Sequence, residues 1–184
     1  MAVAALLLCF VVGISDGDTL TARCDAQQDQ PAVTVKVRVA GIDAPERSQA
    51  FGQRARKRLS EVAFGKPVSL IGQKRDRYGR LVAKVMVASE CAKPPCPQTL
   101  DAGQQLVTEG LAWWYRTYSR EQTRNDRASY EAAEEGARAA RVGLWADGSP
   151  VPPWEWRRGN RPDPALDALA NPIERPIHRD TLEE

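Results

Sequence analysis

The order of its strand-like and helical segments constrains the fold of this chain most. Alternating or clustered β-branched and apolar residues predict five short strands, at residues 10–15, 20–24, 34–40, 67–71 and 81–87. Helical periodicity predicts three helices, from Ser48 as N-cap to Gly65, at residues 99–108, and from Asn125 or Asp126 to Gly143. This order indicates an α+β domain built on a small five-stranded β-barrel with three helices.

The segment at residues 34–40 has the clearest strand pattern. The valines at positions 33, 35, 37 and 39 share one face, which we expect to join the core. Arg38 lies on the opposite face, where a functional site can form. The OB-fold, a five-stranded Greek-key barrel, is one architecture with this number of strands, although the count alone does not decide it.

Basic residues are concentrated in one stretch. From Arg47 to Lys84 the chain has 11 Lys and Arg against only Glu61 and Asp76, whereas the whole chain has a net charge of +2. This excess fits a polyanionic partner, and a solvated basic face is the alternative. The only histidine, His178, lies in the polar C-terminal tail, which excludes catalysis that needs a histidine in the core.

Residues 1–10 are predicted to be a leader that runs into the first strand. Their apolar run has the length of the apolar part of an export signal, although a basic start is missing. A buried first strand is the alternative interpretation. Cys91 and Cys96 flank a proline-rich loop and are predicted to form a disulfide, which also fits export. Cys24 is then an odd, buried thiol if Cys9 leaves with the leader.

The expected organisation follows from these segments. We expect a periplasmic or secreted protein with one domain at residues 11–148. Residues 149–184 are predicted to comprise a docked, extended segment with prolines and tryptophans and then a mobile polar tail.

Four polar segments contain the candidate site residues. They are Asp16-Gly17-Asp18-Thr19, Arg38, Asp43-Ala44-Pro45-Glu46 and Asp76-Arg77-Tyr78-Gly79-Arg80. Most of them are typical of turns when taken alone. Together they supply carboxylates, which hold hard cations, and arginines, which hold anions, and metal-assisted phosphodiester cleavage needs both.

With these motifs the chain resembles the staphylococcal nuclease-like, or thermonuclease, family from about Val11 to Trp145. The likeness includes the five-residue spacing from Arg38 to Asp43, and two further stretches, Gly110-Leu111-Ala112 and Gly143-Leu144-Trp145. The resemblance implies an OB-fold barrel with three helices and a bound Ca²⁺ ion. It also implies endonucleolytic cleavage of DNA and RNA with little sequence specificity, leaving 3′-phosphates.

The resemblance further implies a role for each matching residue. Asp18, Asp43 and the backbone carbonyl of Ala44 match calcium ligands, although the family often has threonine in place of Ala44. Glu46 matches the residue that positions or deprotonates the attacking water. The remaining matches are to substrate: Arg38 and Arg80 on the scissile phosphate, and Tyr78 and Tyr118 as substrate-binding residues. Arg77, which is not part of the family motif, is also predicted to bind substrate.

A second class of function stays open at this point. It is a non-catalytic OB-fold-like module that binds nucleic acid or protein without cutting it. The presence of all five side chains of the expected centre, three acidic and two arginine, argues against this alternative. We expect DNA and RNA as partners, no stable protein partner, a monomer, and only transient membrane association through the leader.

Overall fold

The computed structural model describes residues 6–25, 31–72, 74–91, 93 and 95–159. The strands are, in chain order, β1 (Leu6–Asp16), β2 (Thr19–Cys24), β3 (Val33–Val39), β4 (Ile42–Asp43), β5 (Pro67–Ile71), β6 (Leu81–Val87), β7 (Leu100–Asp101) and β8 (Trp113–Trp114). The helices are α1 (Gly52–Ala63), α2 (Ala102–Thr108), α3 (Arg124–Ala139) and α4 (Pro153–Trp156). Two 3-10 turns lie at Arg116–Glu121 and Gly143–Ala146.

Five strands form a closed barrel in the order β3-β2-β1-β5-β6. Neighbours in this order are antiparallel, and the parallel pairing of β3 with β6 joins the two ends. Closure leaves neither end strand without a partner. The barrel with its helices confirms the predicted α+β, OB-fold-like architecture.

The strand predictions hold for most of the barrel. β5 and β6 have the predicted bounds, and the valines at 35, 37 and 39 are buried in the core. Val33, the first residue of β3, is instead 48% exposed. β1 begins at Leu6, earlier than predicted, since residues 6–10 form the entire ladder with β5. Residues 6–10, which the sequence assigns to a leader, are therefore strand residues.

Three helix starts differ from their predictions for local reasons. α1 begins at Gly52 rather than after Ser48, because the backbone from residue 46 to 52 makes two successive turns first. α2 begins after Asp101, whose carboxylate accepts hydrogen bonds from the first turn. α3 is capped by Thr123, whose hydroxyl oxygen accepts from the backbone N–H of Asp126 while the hydroxyl donates to the Asp126 carboxylate.

The C-terminal segment also differs from its prediction. Pro153–Trp156 forms one turn of helix rather than an extended segment, with proline at a first-turn position that needs no N–H donor. Residues 160–184, with His178, lie outside the described residues. Among the described residues, no helix has the length and apolar character needed to cross a membrane.

The structure has two disulfides. The Cys91–Cys96 bridge confirms the prediction. The second bridge joins Cys9 to Cys24, so Cys24 is not the odd thiol that was expected in case Cys9 leaves with the leader. The reason is the register of the β1–β2 hairpin, which makes the two residues direct cross-strand partners with Cα atoms 3.9 Å apart.

A small second sheet supports the region where the polar segments meet. In this sheet β4 pairs with β8, so that Asp43 lies opposite Trp113. Glu134 of α3 is fully buried and accepts a hydrogen bond from the backbone N of Trp114 at 3.1 Å. α3 therefore holds β8, and through it β4 and Asp43, against the barrel.

Candidate active site

The turn between β1 and β2 places Asp18 against the segment after β4. Gly17 permits this approach, since a Cβ there would lie 2.7 Å from the Cβ atoms of both Ala44 and Ala55. The carboxylate of Asp18 accepts hydrogen bonds from the Ala44 backbone N at 2.9 Å and from the Thr19 hydroxyl at 3.1 Å. Two of the polar segments therefore form one surface.

Arg38 connects Asp18 with Asp43. Its guanidinium lies 2.9 Å from Oδ2 of Asp18 and 2.8 Å from Oδ1 of Asp43. It also donates to the carbonyl of Ile42 at 2.9 Å. The Arg38 side chain is only 16% exposed, so water screens these contacts weakly. The strand register explains the arrangement, because the cross-strand partner of Arg38 is Thr19, the neighbour of Asp18.

The carboxyl groups of the site destabilise one another's charge. Burial raises the pKa of Asp43, and the charge of Asp18 adds to this effect, whereas Arg157 and Arg38 oppose it. Burial and then the charge of Asp18 raise the pKa of Asp16 to about 6. A cation bound among these groups would stabilise their ionised forms.

The donor atoms suit a hard divalent cation. Asp18 and Asp43 converge on the same guanidinium, so their oxygens border one small region, and oxygen is the ligand that Ca²⁺ and Mg²⁺ prefer. Within the described ranges, no group of three or more His, Cys, Asp and Glu is placed to hold a metal. Such an ion would therefore need further ligands, for which the Ala44 carbonyl and water are available.

The loop at residues 76–80 brings Arg80 to the same place. Asp76 organises this loop: one of its carboxylate oxygens accepts from the backbone N of Tyr78 and Arg80, and the other accepts from Arg80 Nε at 2.7 Å. Gly79 has φ = 77°, a conformation that glycine adopts without strain. Arg80 Nη1 then donates to the Thr19 hydroxyl at 3.1 Å, beside Asp18.

The predicted substrate-binding residues are exposed. Tyr78 is 68% exposed, and the guanidinium groups of Arg77 and Arg80 lie 4.9 and 5.4 Å from its ring centroid. Tyr118 is 54% exposed and contacts Tyr115 and Lys74 rather than the carboxylates. The structure thus joins Tyr78 and Arg77 to the Arg80 loop, and places Tyr118 on a separate aromatic surface.

Arg157, just after α4, is the site residue that the sequence did not predict. Its Nη2 lies 2.6 Å from Oδ2 of Asp43, and its Nη1 lies 2.7 Å from Oε1 of Glu46. The tryptophans beside it suggested a docked segment, but no sequence spacing indicates a partner 111 residues away. Arg157 therefore bridges the carboxylates of Glu46 and Asp43 and connects Glu46 to the rest of the site.

Two cavities flank the C-terminal segment that contains Arg157. The larger, about 560 Å³, is lined by Glu46, Ser48, Trp156, Arg157 and Gly159. The smaller, about 260 Å³, is lined by Trp114, Tyr115, Arg116, Thr117, Trp154 and Arg158. The larger cavity combines the ring of Trp156 with the guanidinium of Arg157, which suits a stacked base and its phosphate.

Comparison with known proteins adds to the geometry. The family model described as staphylococcal nuclease homologue matches residues 36–147. A Haemophilus influenzae protein named uncharacterized endonuclease is 40% identical over 159 residues, covering 86% of this chain and 78% of the relative. The micrococcal nuclease of Shigella flexneri is 40% identical over 153 residues, covering 82% and 80%. Protein ParB of Escherichia coli is 42% identical over 156 residues, covering 83% and 81%.

Proposed function

We propose that this chain, which belongs to the staphylococcal nuclease family, is a calcium-dependent endonuclease that cleaves DNA and RNA with little sequence specificity. The observation that carries the proposal is the arrangement around Asp18. Two carboxylates that can hold a cation share one guanidinium, and a second guanidinium reaches the adjoining Thr19. Cation and anion sites in contact are what hydrolysis of a phosphodiester requires.

The proposed roles divide these groups. Asp18, Asp43 and the Ala44 carbonyl hold the ion, which when bound supplies positive charge and polarises a nonbridging phosphate oxygen. Arg38 and Arg80 donate hydrogen bonds to the phosphate oxygens on which charge builds up during attack. Glu46 accepts a proton from the attacking water, or orients that water. We further propose that the products have 3′-phosphates.

The surface around the site supports a substrate without sequence preference. The basic stretch from Arg47 to Lys84 provides contacts to phosphates, which carry no sequence information. The exposed rings of Tyr78 and Tyr118 can stack on any base. We therefore propose that accessible single strands are cut faster than duplexes, with Arg77 as a further phosphate contact.

We also propose that the protein works as a monomer in the periplasm or outside the cell. Its two disulfides support this location, because disulfides persist in oxidising compartments. The first residues are proposed to direct the export.

One assay tests the proposed function. The purified protein is incubated with fluorescently labelled single-stranded DNA or RNA, with Ca²⁺ or with a chelator. We expect cleavage with Ca²⁺ only. It should be lost in Asp18→Ala but not in the matched control Asp25→Ala, which changes an exposed aspartate just after β2. Binding without calcium-dependent cleavage would favour the non-catalytic module instead. With a substrate labelled at its 5′ end, a mobility shift of the labelled product after phosphatase treatment indicates a 3′-phosphate, and an unshifted product indicates a 3′-hydroxyl.

A further inference from the structure

The segment from Val151 to Gly159, here called the C-terminal strap, lies beyond the part of the chain that the family model matches. It is fixed to the domain independently of Arg157. Pro153 is buried, and the Trp154 ring contacts the rings of Trp113 and Tyr115 at centroid distances of 6.3 and 5.6 Å. The side chain of Gln49 donates to the carbonyl of Val151. These contacts hold the strap against the domain without any contribution from Arg157.

Arg157 and Arg38 hold the carboxylate of Asp43 from two sides. Arg38 Nη2 lies 2.8 Å from Oδ1, and Arg157 Nη2 lies 2.6 Å from Oδ2. Arg157 also reaches Oδ1 at 3.4 Å. Both oxygens of this carboxylate, whose side chain is 1% exposed, are thus occupied by cationic donors.

This arrangement has a consequence for a cation at Asp43. A divalent ion and a guanidinium at the same carboxylate oxygen repel each other and compete for its lone pairs, so each weakens the binding of the other. Both arginines compete in this way, but the Arg157 side chain is 46% exposed and that of Arg38 only 16%, so Arg157 is the one that the ion displaces from Asp43. The released guanidinium remains on the strap beside Glu46 and the larger cavity, with the planar donor geometry that suits a phosphate.

We propose that Arg157 is a third arginine of the nuclease site, which occupies Asp43 and Glu46 until calcium displaces it and then binds the phosphate of the substrate. The proposal rests on the proposed function. It assigns to the strap a contact with the phosphate next to Glu46, a position that neither Arg38 nor Arg80 occupies. In this structure the carboxylate of Asp43 occupies the donors of Arg157 that would bind the phosphate.

The first measurement is calcium affinity without nucleic acid, by calorimetry on chelator-treated protein. Arg157→Ala should bind Ca²⁺ about tenfold more tightly than the wild type, because the competing cation is gone. Arg157→Lys, which keeps the charge but lacks the planar fork that contacts both carboxylates, should show a smaller gain. The matched control is Arg158→Ala, an exposed neighbour on the strap that lines the smaller cavity. Its calcium affinity should equal that of the wild type.

The second measurement is kcat/KM on a single-stranded DNA at saturating Ca²⁺. Arg157→Ala should lose about 100-fold, the usual effect of removing a donor to the transition state, and Arg158→Ala should stay within about twofold. Tighter calcium binding with slower cleavage is a combination that a merely structural residue would not produce. Unchanged or weaker calcium affinity in Arg157→Ala, or unchanged kcat/KM, overturns the proposal. A wild type that binds calcium but does not cleave refutes the proposed function, while the calcium affinities still test the competition.

Discussion

Replacing Arg38 with methionine removes the cation that Asp18 and Asp43 share. Methionine keeps much of the apolar stem, so the change isolates the guanidinium. The side chains of Asp18 and Asp43 are 9% and 1% exposed, and removal of one partner of a buried ion pair costs about 3–5 kcal/mol. Asp43 keeps Arg157, and Arg38 itself is partly hydrated. We therefore expect a loss of about 3 kcal/mol in the free energy of unfolding without calcium.

Urea unfolding at neutral pH in a chelator measures this loss. Lys36→Met is the matched control, because Lys36 lies on the same strand and face but is exposed, and its replacement should change stability by less than about 0.5 kcal/mol. Added Ca²⁺ should stabilise Arg38→Met more than the wild type, since the ion replaces the lost charge beside Asp18 and Asp43. A loss below about 1 kcal/mol, or an equal calcium effect in both proteins, would refute the reasoning.

Three further substitutions separate the roles of other residues. Glu46→Gln should slow cleavage about 100-fold, and turnover near the wild-type rate at every pH would remove Glu46 as general base. Asp76→Asn should lower kcat/KM about tenfold by loosening Arg80 while calorimetry shows unchanged calcium affinity, and weaker calcium binding would contradict this. Glu109 is partly buried, which raises its pKa, but hydrogen bonds from Arg58 lower it more, with a net decrease. The ionised carboxylate of Glu109 therefore stabilises the fold at pH values above 4.5, its usual pKa. This contribution is lost as the pH falls through the lowered pKa. The stability difference from Glu109→Gln, about 0.5–1 kcal/mol at pH 7 for this partly exposed pair, should shrink in acid, and a difference that is constant down to pH 2 would argue against the ion pair.

Local patterns predicted the parts of the fold that depend on neighbouring residues. Alternation placed the buried valines of β3 and put Arg38 on the opposite face, and the turn residues around Gly79 marked the loop that holds Arg80. Strand register depends on how two segments pair, so the pattern of either segment alone does not predict it. The Cys9–Cys24 bridge was therefore missed, because it depends on the β1–β2 register.

The site shows the same limit over a longer range. Asp18, Arg38 and Asp43 were recognisable because short motifs contain them, and the barrel brings those motifs together. Arg157 has no motif, and its chemistry equals that of Arg158 beside it. Only the turn of α4 and the docking of Trp154 select which of the two arginines reaches Asp43.

A crystal structure of the protein with Ca²⁺ tests the central claim most directly. The account predicts an ion bonded to carboxylate oxygens of Asp18 and Asp43 at about 2.3–2.6 Å, with Arg157 moved away from Oδ2 of Asp43. Anomalous scattering identifies the ion. An ion bound elsewhere, or Arg157 still in contact with Oδ2 of Asp43 beside a bound ion, would contradict the account.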